Sequence, residues 1–285
     1  MEINGKTQLI VLIGNPVEHS MSPKMHNAAF RKLGLNYIYV AVRVDTDKLK
    51  EAIDGIRAFN IRGANVTVPH KINIMQYLDE IDPVAENIGA INTILNKDGY
   101  LYGTNTDGIG AVRSLKEEGV VVKDKKIVII GAGGVARPIS YNLVPETKEF
   151  VLFDIDESTV QNLAQELNDK IGGTISGFKS DPQKIAEEIQ DADIFINATP
   201  IGMSPKVNES ILAKSLLRKN LIVFDVVYNP LETKLLKEAK AVGAKAISGI
   251  MMLVYQGVAA FELWTEQKAP VPLMKQMVLE GLGLR

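Results

Sequence analysis

The residues best suited to chemistry fall in a few short runs, and the clearest is Gly131-Ala132-Gly133-Gly134-Val135-Ala136, which follows the β-rich run KIVII and precedes a helical stretch. In that setting the first glycine permits a tight turn and the second lets backbone approach a pyrophosphate. The small Ala136 lets helix pack on strand, with the helix N-terminus facing the phosphates. The pattern predicts a dinucleotide site. Asp154 ends the next run, FVLFD, where a carboxylate can accept hydrogen bonds from adenosine ribose hydroxyls and would repel a 2′-phosphate. No arginine lies in the stretch Asp154-Ile155-Asp156-Glu157-Ser158-Thr159. NAD is therefore expected over NADP.

Upstream, Ser20 and Ser22 stand two apart in NPVEHSMSP and could bind a carboxylate, although the stronger local reading makes Ser22 a helix cap with Pro23 in the first turn. The run Asn65-Val66-Thr67-Val68-Pro69-His70-Lys71 puts an amide, a hydroxyl and an ammonium just past a strand end, where open α/β sheets bind ligands. Alone, such a lysine is more often a solvated surface charge. A third cluster, Asn92-Thr93 with Gly103-Thr104-Asn105-Thr106-Asp107-Gly108, brackets a hairpin, and Asp107 by itself reads as an Asx-type helix cap. Asn197 to Met203 follows the strand DIFIN on the cofactor-facing edge of the second half, and Tyr228-Asn229-Pro230 has the same standing. His19, His26 and His70 lack metal-ligand spacing and no HExxH occurs, so no metal is expected. Gly-x-Ser-x-Gly is absent, which argues against acyl transfer.

Those loops need strand ends to hold them, and the chain supplies two alternating series. From Gln8 to Asp107 the runs QLIVLIGN, YIYVAVRV, GANVTV, INTILN and YLYGTNTD alternate with amphipathic stretches at Ser22–Gly34 and Thr46–Phe59. Asn96-Lys97-Asp98-Gly99 is a hairpin signal, so this sheet should be mixed. From Lys126 a second series (KIVII, FVLFD, a helix around Ser158–Lys170, DIFINAT, LIVFDVVY, KAIS) reads as βαβ units on a mostly parallel sheet. The apolar segment Ile250–Trp264 and one more helix after Pro270 and Pro272 should return to the first half. With 285 residues, 46% hydrophobic and 23% charged, the composition is globular and suffices for one large or two medium domains. A net charge of −2 without a dense Lys/Arg run makes nucleic acid and anionic membranes unexpected partners. No cysteine is present, which excludes disulfides and thiolate chemistry and suits a reducing compartment. The apolar run Leu9–Ile13 is too short for a membrane span or signal core, so a soluble, cytoplasmic protein is expected.

Taken together and in order, GNPVEHSMSPKMHN, GANVTVPHK, GAINTI, GTNTDG, GAGGVAR, NATPIGM, DVVYNP and GIMMLVYQG resemble the blocks of the shikimate/quinate dehydrogenase family over nearly the whole chain. The resemblance implies an α/β fold: an N-terminal substrate domain (1–107 with 250–285), a Rossmann-type NAD domain (108–249) and a cleft between them. It implies that Ser20 and Ser22 hold a substrate carboxylate, that Asn65, Thr67, Asn92, Asp107 and Gln256 bind ring hydroxyls, and that Lys71 and Asp107 form the catalytic pair. Tyr228 and Gly249 would lie near substrate and nicotinamide, while Gly131, Ala132, Gly133, Gly134, Val135, Asp154, Thr199, Met203, Val226 and Gly249 would hold the dinucleotide. Family members using NADP commonly carry an Asn-Arg-Thr turn and a further arginine after the second Rossmann strand; this chain lacks them and resembles the NAD-preferring branch. The implied activity is reversible NAD-linked oxidation of shikimate to 3-dehydroshikimate, with quinate as a second substrate, by a monomer or homodimer. Two alternatives stay open: a dedicated catabolic quinate dehydrogenase, and a sensor that kept the fold without the chemistry.

Overall fold

A computed structural model describes residues 2–283, and the chain divides into two compact units. One runs to Gly110 and resumes at Val254; the other comprises Ala111–Leu253.

The first unit is built on β1 (Gln8–Gly14), β2 (Tyr37–Arg43), β3 (Gly63–Val66), β4 (Glu80–Ile81), β5 (Thr93–Lys97) and β6 (Tyr100–Thr104), in the order β2-β1-β3-β5-β6-β4. The sheet is mixed, as the hairpin signal predicts. Lys97 faces Tyr100 across an antiparallel pair, and the two residues between them, Asp98 and Gly99, take φ values of 50° and 89°. Both central residues of a type I′ turn need positive φ, which is why Asp-Gly is favoured there. The first-half helices are α1 (Ser22–Lys32), α2 (Leu49–Ala58), α3 (Pro83–Ile88) and α4 (Thr106–Glu117). In α2 the buried residues Leu49, Ile53 and Ile56 recur at helical spacing and meet Val11, Ile13, Ala64 and Val66 of β1 and β3 in one core cluster.

The second unit has β7 (Lys126–Ile130), β8 (Glu149–Asp154), β9 (Ile175–Lys179), β10 (Ile194–Asn197), β11 (Ile222–Asp225) and β12 (Lys245–Ser248). All pairs are parallel and the order is β12-β11-β10-β7-β8-β9, so the chain reverses direction across the sheet between β7 and β10. Open sheets of this kind take ligands at the carboxyl ends of the strands beside that reversal. Helices α5 (Ala136–Leu143), α6 (Glu157–Lys170), α7 (Pro182–Ile189) and α8 (Lys234–Ala241) complete it. Every residue of β7 is buried, the pattern of a strand covered on both faces. Sequence reasoning found neither β9 nor α7: ISGFK is half exposed and interrupted by Gly177, which sits against the backbone oxygen of Val160 in α6.

Two helices end the chain, α9 (Ile250–Thr265) and α10 (Val271–Gly281). From Val254 onward they belong to the first unit, where α10 packs on α1. Trp264 of α9 is wholly buried; its Nε1 donates to the Ile94 carbonyl at 2.8 Å, and its indole fills the space a side chain at Gly63 would need. Around it His26, Phe30, Tyr39 and Phe261 form an aromatic cluster in which the His26 ring stacks on Tyr39 at 4.6 Å and 10°. Neither ring nitrogen of His26 has a hydrogen-bond partner. Among the described residues, no helix is long and apolar enough to cross a membrane.

Complete burial pushes the His26 imidazole down to about 3. The folded protein thus keeps it neutral while the unfolded chain takes up a proton near 6.5, so its stability is whole above pH 6.5 and falls as pH drops below it, by about 1.4 kcal/mol per unit. Urea unfolding at pH 7 and pH 5 should show the native protein losing about 2 kcal/mol more than His26→Phe over that interval. Equal losses would show that the imidazole is not desolvated in the folded state.

Candidate active site

Lys71 follows a loop that leaves β3 and is tied at several points. Thr67 N–H donates to Ile13 O at 2.9 Å, His70 N–H to Thr67 O at 3.0 Å, and the buried His70 ring bonds the Val44 carbonyl through Nε2 at 2.8 Å. His70 therefore anchors the loop inward. The next residue, Lys71, places its Nζ 2.7 Å from Asp107 Oδ2, with side chains 26% and 15% exposed. The other oxygen, Oδ1, accepts from Asn92 Nδ2 at 2.8 Å. The surface-lysine reading thus fails, and so does Asp107 as a local cap: Asn105 Oδ1 accepts from the Asp107 N–H at 3.0 Å at the start of α4. A lysine fixed against a carboxylate in a half-buried place can deliver a proton to a ligand oxygen from its ammonium form and take one up from it as the free amine.

Asn92 connects this pair to the rest of the unit. Its Oδ1 accepts from Thr106 N–H at 2.8 Å and Thr93 Oγ1 at 2.9 Å. Thr93 Oγ1 and the Asn92 carbonyl in turn receive the two N–H groups of Asn65, at 3.0 and 3.1 Å. Asn65 Oδ1 accepts from the Tyr39 hydroxyl at 2.7 Å. Lys71, Asp107, Asn92 and Asn65 are therefore joined in one hydrogen-bonded array with Thr93, Thr106 and Tyr39. Sequence reasoning assigned no role to Thr106 or to the Tyr39–Asn65 bond. Ser22 is not the cap of α1: that position is Met21, without a side-chain cap, and the Ser22 N–H donates to Ser20 Oγ at 3.2 Å. The methyl of Thr67 occupies the space beside Gly14, and Gln256 lies on α9.

In the second unit the glycine turn fits a dinucleotide. Gly131 has φ +110°, and a Cβ there would stand 2.7 Å from the Ala198 carbonyl oxygen, so only glycine lets β7 pass that close to the loop after β10. Gly133 and Gly134 face open space, with Val135 39% exposed at the start of α5. Such a loop presents backbone N–H groups to a phosphate. The Asp154 carboxylate is held between two stretches of backbone: Oδ2 accepts from the N–H of Ala132 in the glycine turn at 2.7 Å and Oδ1 from the Asp156 N–H at 3.0 Å. Across the switch point Asn197 orders the neighbouring loop. Its Oδ1 accepts from Thr199 Oγ1 at 2.7 Å, and its Nδ2 donates to Asp225 Oδ1 at 2.9 Å. Burial pushes Asp225 up to about 6, against the pull of Thr233, the Val227 N–H and Asn197. Val226 donates to the Asn197 carbonyl at 3.0 Å, and a Cβ on Gly249 would strike the Val226 carbonyl. Met203 and Tyr228 lie on loops after β10 and β11, 45% and 38% exposed.

Two family models match the chain: "Shikimate dehydrogenase substrate binding domain" over residues 12–94 and "Shikimate 5′-dehydrogenase C-terminal domain" over residues 249–279. A shikimate dehydrogenase (NADP(+)) of Methanocaldococcus jannaschii is 49% identical over 286 residues, covering 98% of this chain and 99% of the relative. Among solved structures, a shikimate dehydrogenase in complex with NADP+ has a TM-score of 0.91 at 48% identity, covering 99% of this chain and 98% of the other. Shikimate 5-dehydrogenase from Listeria monocytogenes, in complex with shikimate and NAD, has a TM-score of 0.94 at 41% identity and 98% coverage of both chains.

These relatives overturn the expected preference for NAD, because the relative at 49% identity is an NADP(+) enzyme and the structure at 48% holds NADP+. Two features of the second unit account for the error. The Asp154 carboxylate is engaged by two backbone N–H groups and is not a bare charge waiting for a ribose. The stretch after Asp154 holds no arginine, but the residue in register with Asp154 across the sheet, on β9, is the exposed cation Lys179.

Gly131→Ala should force a left-handed backbone onto an alanine and push the Ala198 loop away. The strain is about 1–2 kcal/mol, so dinucleotide affinity measured by calorimetry should fall about tenfold or more. Unchanged affinity would show that this turn does not hold the dinucleotide.

Proposed function

The chain belongs to the shikimate dehydrogenase family of oxidoreductases, and on that premise we propose that it catalyses the reversible oxidation of shikimate to 3-dehydroshikimate with NADP. The observation that carries the reading is the Lys71–Asp107 pair at 2.7 Å, with the second carboxylate oxygen tied to Asn92. Oxidising a secondary alcohol requires a proton acceptor at the carbinol oxygen, and the reverse reaction requires a donor at the forming alkoxide. Lys71 serves that oxygen in both directions. Asp107 holds the ammonium in place and, with Asn92, keeps the pair from rotating. The nicotinamide, when bound, accepts hydride from the carbinol carbon and returns it in the opposite direction.

Within the first unit, Ser20 and Ser22 are assigned to the substrate carboxylate and Asn65, Thr67, Asn92 and Gln256 to ring hydroxyls. Freedom of the Ser22 side chain from helix capping supports its assignment. Within the second unit, the open turn at Gly133 and Gly134 supports a pyrophosphate site, flanked by Ala132, Val135, Asp154, Thr199, Met203 and Val226. A cysteine-free chain suits a cytoplasmic location.

The test is initial-rate measurement on a grid of shikimate or quinate against NADP or NAD, repeated with Lys71→Ala. Shikimate with NADP should be fastest. Lys71→Ala should lose about 10²–10⁴-fold in turnover, the usual worth of a positioned proton-transfer group, while NADP affinity stays within about threefold. Equal loss of turnover and cofactor affinity would remove Lys71 from the chemistry, and faster turnover of quinate would move the activity to that substrate.

A further inference from the structure

A carboxylate lies buried at the carboxyl ends of the second sheet with only neutral groups around it. Asp225 ends β11, in register with Asn197 on β10 and Ser248 on β12, and is 0% exposed. Its Oδ1 accepts from Asn197 Nδ2 at 2.9 Å and from the Val227 N–H at 3.1 Å. Its Oδ2 accepts from the hydroxyl of Thr233, the N-cap of α8, at 2.6 Å. Burial outweighs those three bonds and pushes the carboxyl up to about 6, and among the described residues no charged side chain acts on it. The group is thus ionised at neutral pH at a cost that a cation arriving nearby would lower. The fold itself does not require the charge. An asparagine here could accept both N–H groups on Oδ1 and donate from Nδ2 to Thr233 Oγ1.

The dinucleotide reading supplies the cation. In the order β12-β11-β10-β7-β8-β9, the glycine turn after β7 divides the strand ends into two sides. With pyrophosphate at that turn, adenosine lies over β8, on the side of Asp154, and the nicotinamide half extends over β10 and β11. A nicotinamide ring is positively charged when oxidised and neutral when reduced. We propose that Asp225 discriminates between the two oxidation states of the cofactor, its buried charge favouring the oxidised, cationic ring over the reduced one. The inference rests on the NADP reading and adds a residue that acts on the ring through its field, without touching it. Opposite unit charges about 10 Å apart, in a medium of effective dielectric about 20, gain about tenfold in a binding constant. Burial shields that attraction from salt. Tighter holding of the oxidised form also makes the reduced cofactor a stronger hydride donor on the protein, which draws the reaction toward the alcohol.

Calorimetric titration of the whole protein with NADP+ and with NADPH, at pH 8 and pH 5.5, tests this in native form and as Asp225→Asn. At pH 8 the variant should bind NADP+ about tenfold more weakly and NADPH within about threefold of native. Between pH 8 and 5.5 the native preference for NADP+ over NADPH should fall about threefold as Asp225 takes up a proton, while the preference of Asp225→Asn stays flat. The 2′-phosphate titrates in the same range but is common to both cofactor forms, so it cancels in their ratio. The native pH comparison keeps the test open should Asp225→Asn not fold. Equal weakening of both forms in the variant, or a native ratio that does not move with pH, would overturn the role of Asp225 while leaving the NADP reading intact. Failure of the folded native protein to bind either form would overturn both.

Discussion

A single carboxamide, that of Asn92, is where the segments of the first unit meet. Its side chain binds the start of α4 through Thr106 and the Asp107 carboxylate that pairs with Lys71, and its backbone carbonyl takes the Val66 N–H at the end of β3. It is 4% exposed. A buried amide left without partners is costly, on the order of 1–3 kcal/mol for each unmet group, so the chain has few ways to satisfy this one. The arrangement that satisfies it is also the one that sets Lys71 against Asp107. Stability and site geometry are in this sense one requirement.

The second unit solves a like problem in a like manner. Asn197 ends β10 where the sheet reverses, and its carboxamide reaches both the loop ahead, at Thr199 and Ile201, and the neighbouring strand end, at Asp225. In each unit a buried asparagine at or just before a strand terminus converts an irregular loop into a fixed one. Loops at strand ends carry function because the sheet beneath them is rigid; here the side chain of the last ordered residues extends that rigidity a few residues further.

What was legible in the sequence was local. The Asp-Gly turn, the glycine loop after a fully apolar strand and the order of the motif blocks each announce themselves within a dozen residues. Contacts that join distant positions do not: the Tyr39–Asn65 bond spans 26 positions and the Trp264–Ile94 bond 170. Ser22 and Asp107 read locally as caps, because a short polar residue before a helix usually is one. Ser22 instead lies inside the first turn of α1, with Met21 at the cap position, and Asp107 takes Lys71, which arrives from elsewhere in the fold. The reading of Asp154 failed for the same reason, since its carboxylate turns back to the glycine loop and its strand partner Lys179 stands 25 positions away along the chain.

The seat that Trp264 fills against Gly63 and Ile94 belongs to strands made within the first hundred residues, and its occupant comes near the end of the chain. During vectorial synthesis the first unit therefore stays open on that side while all of the second is produced. The dinucleotide half is complete in sequence before the half that precedes it can close, so the part of the protein that begins first on the ribosome is the part that finishes last.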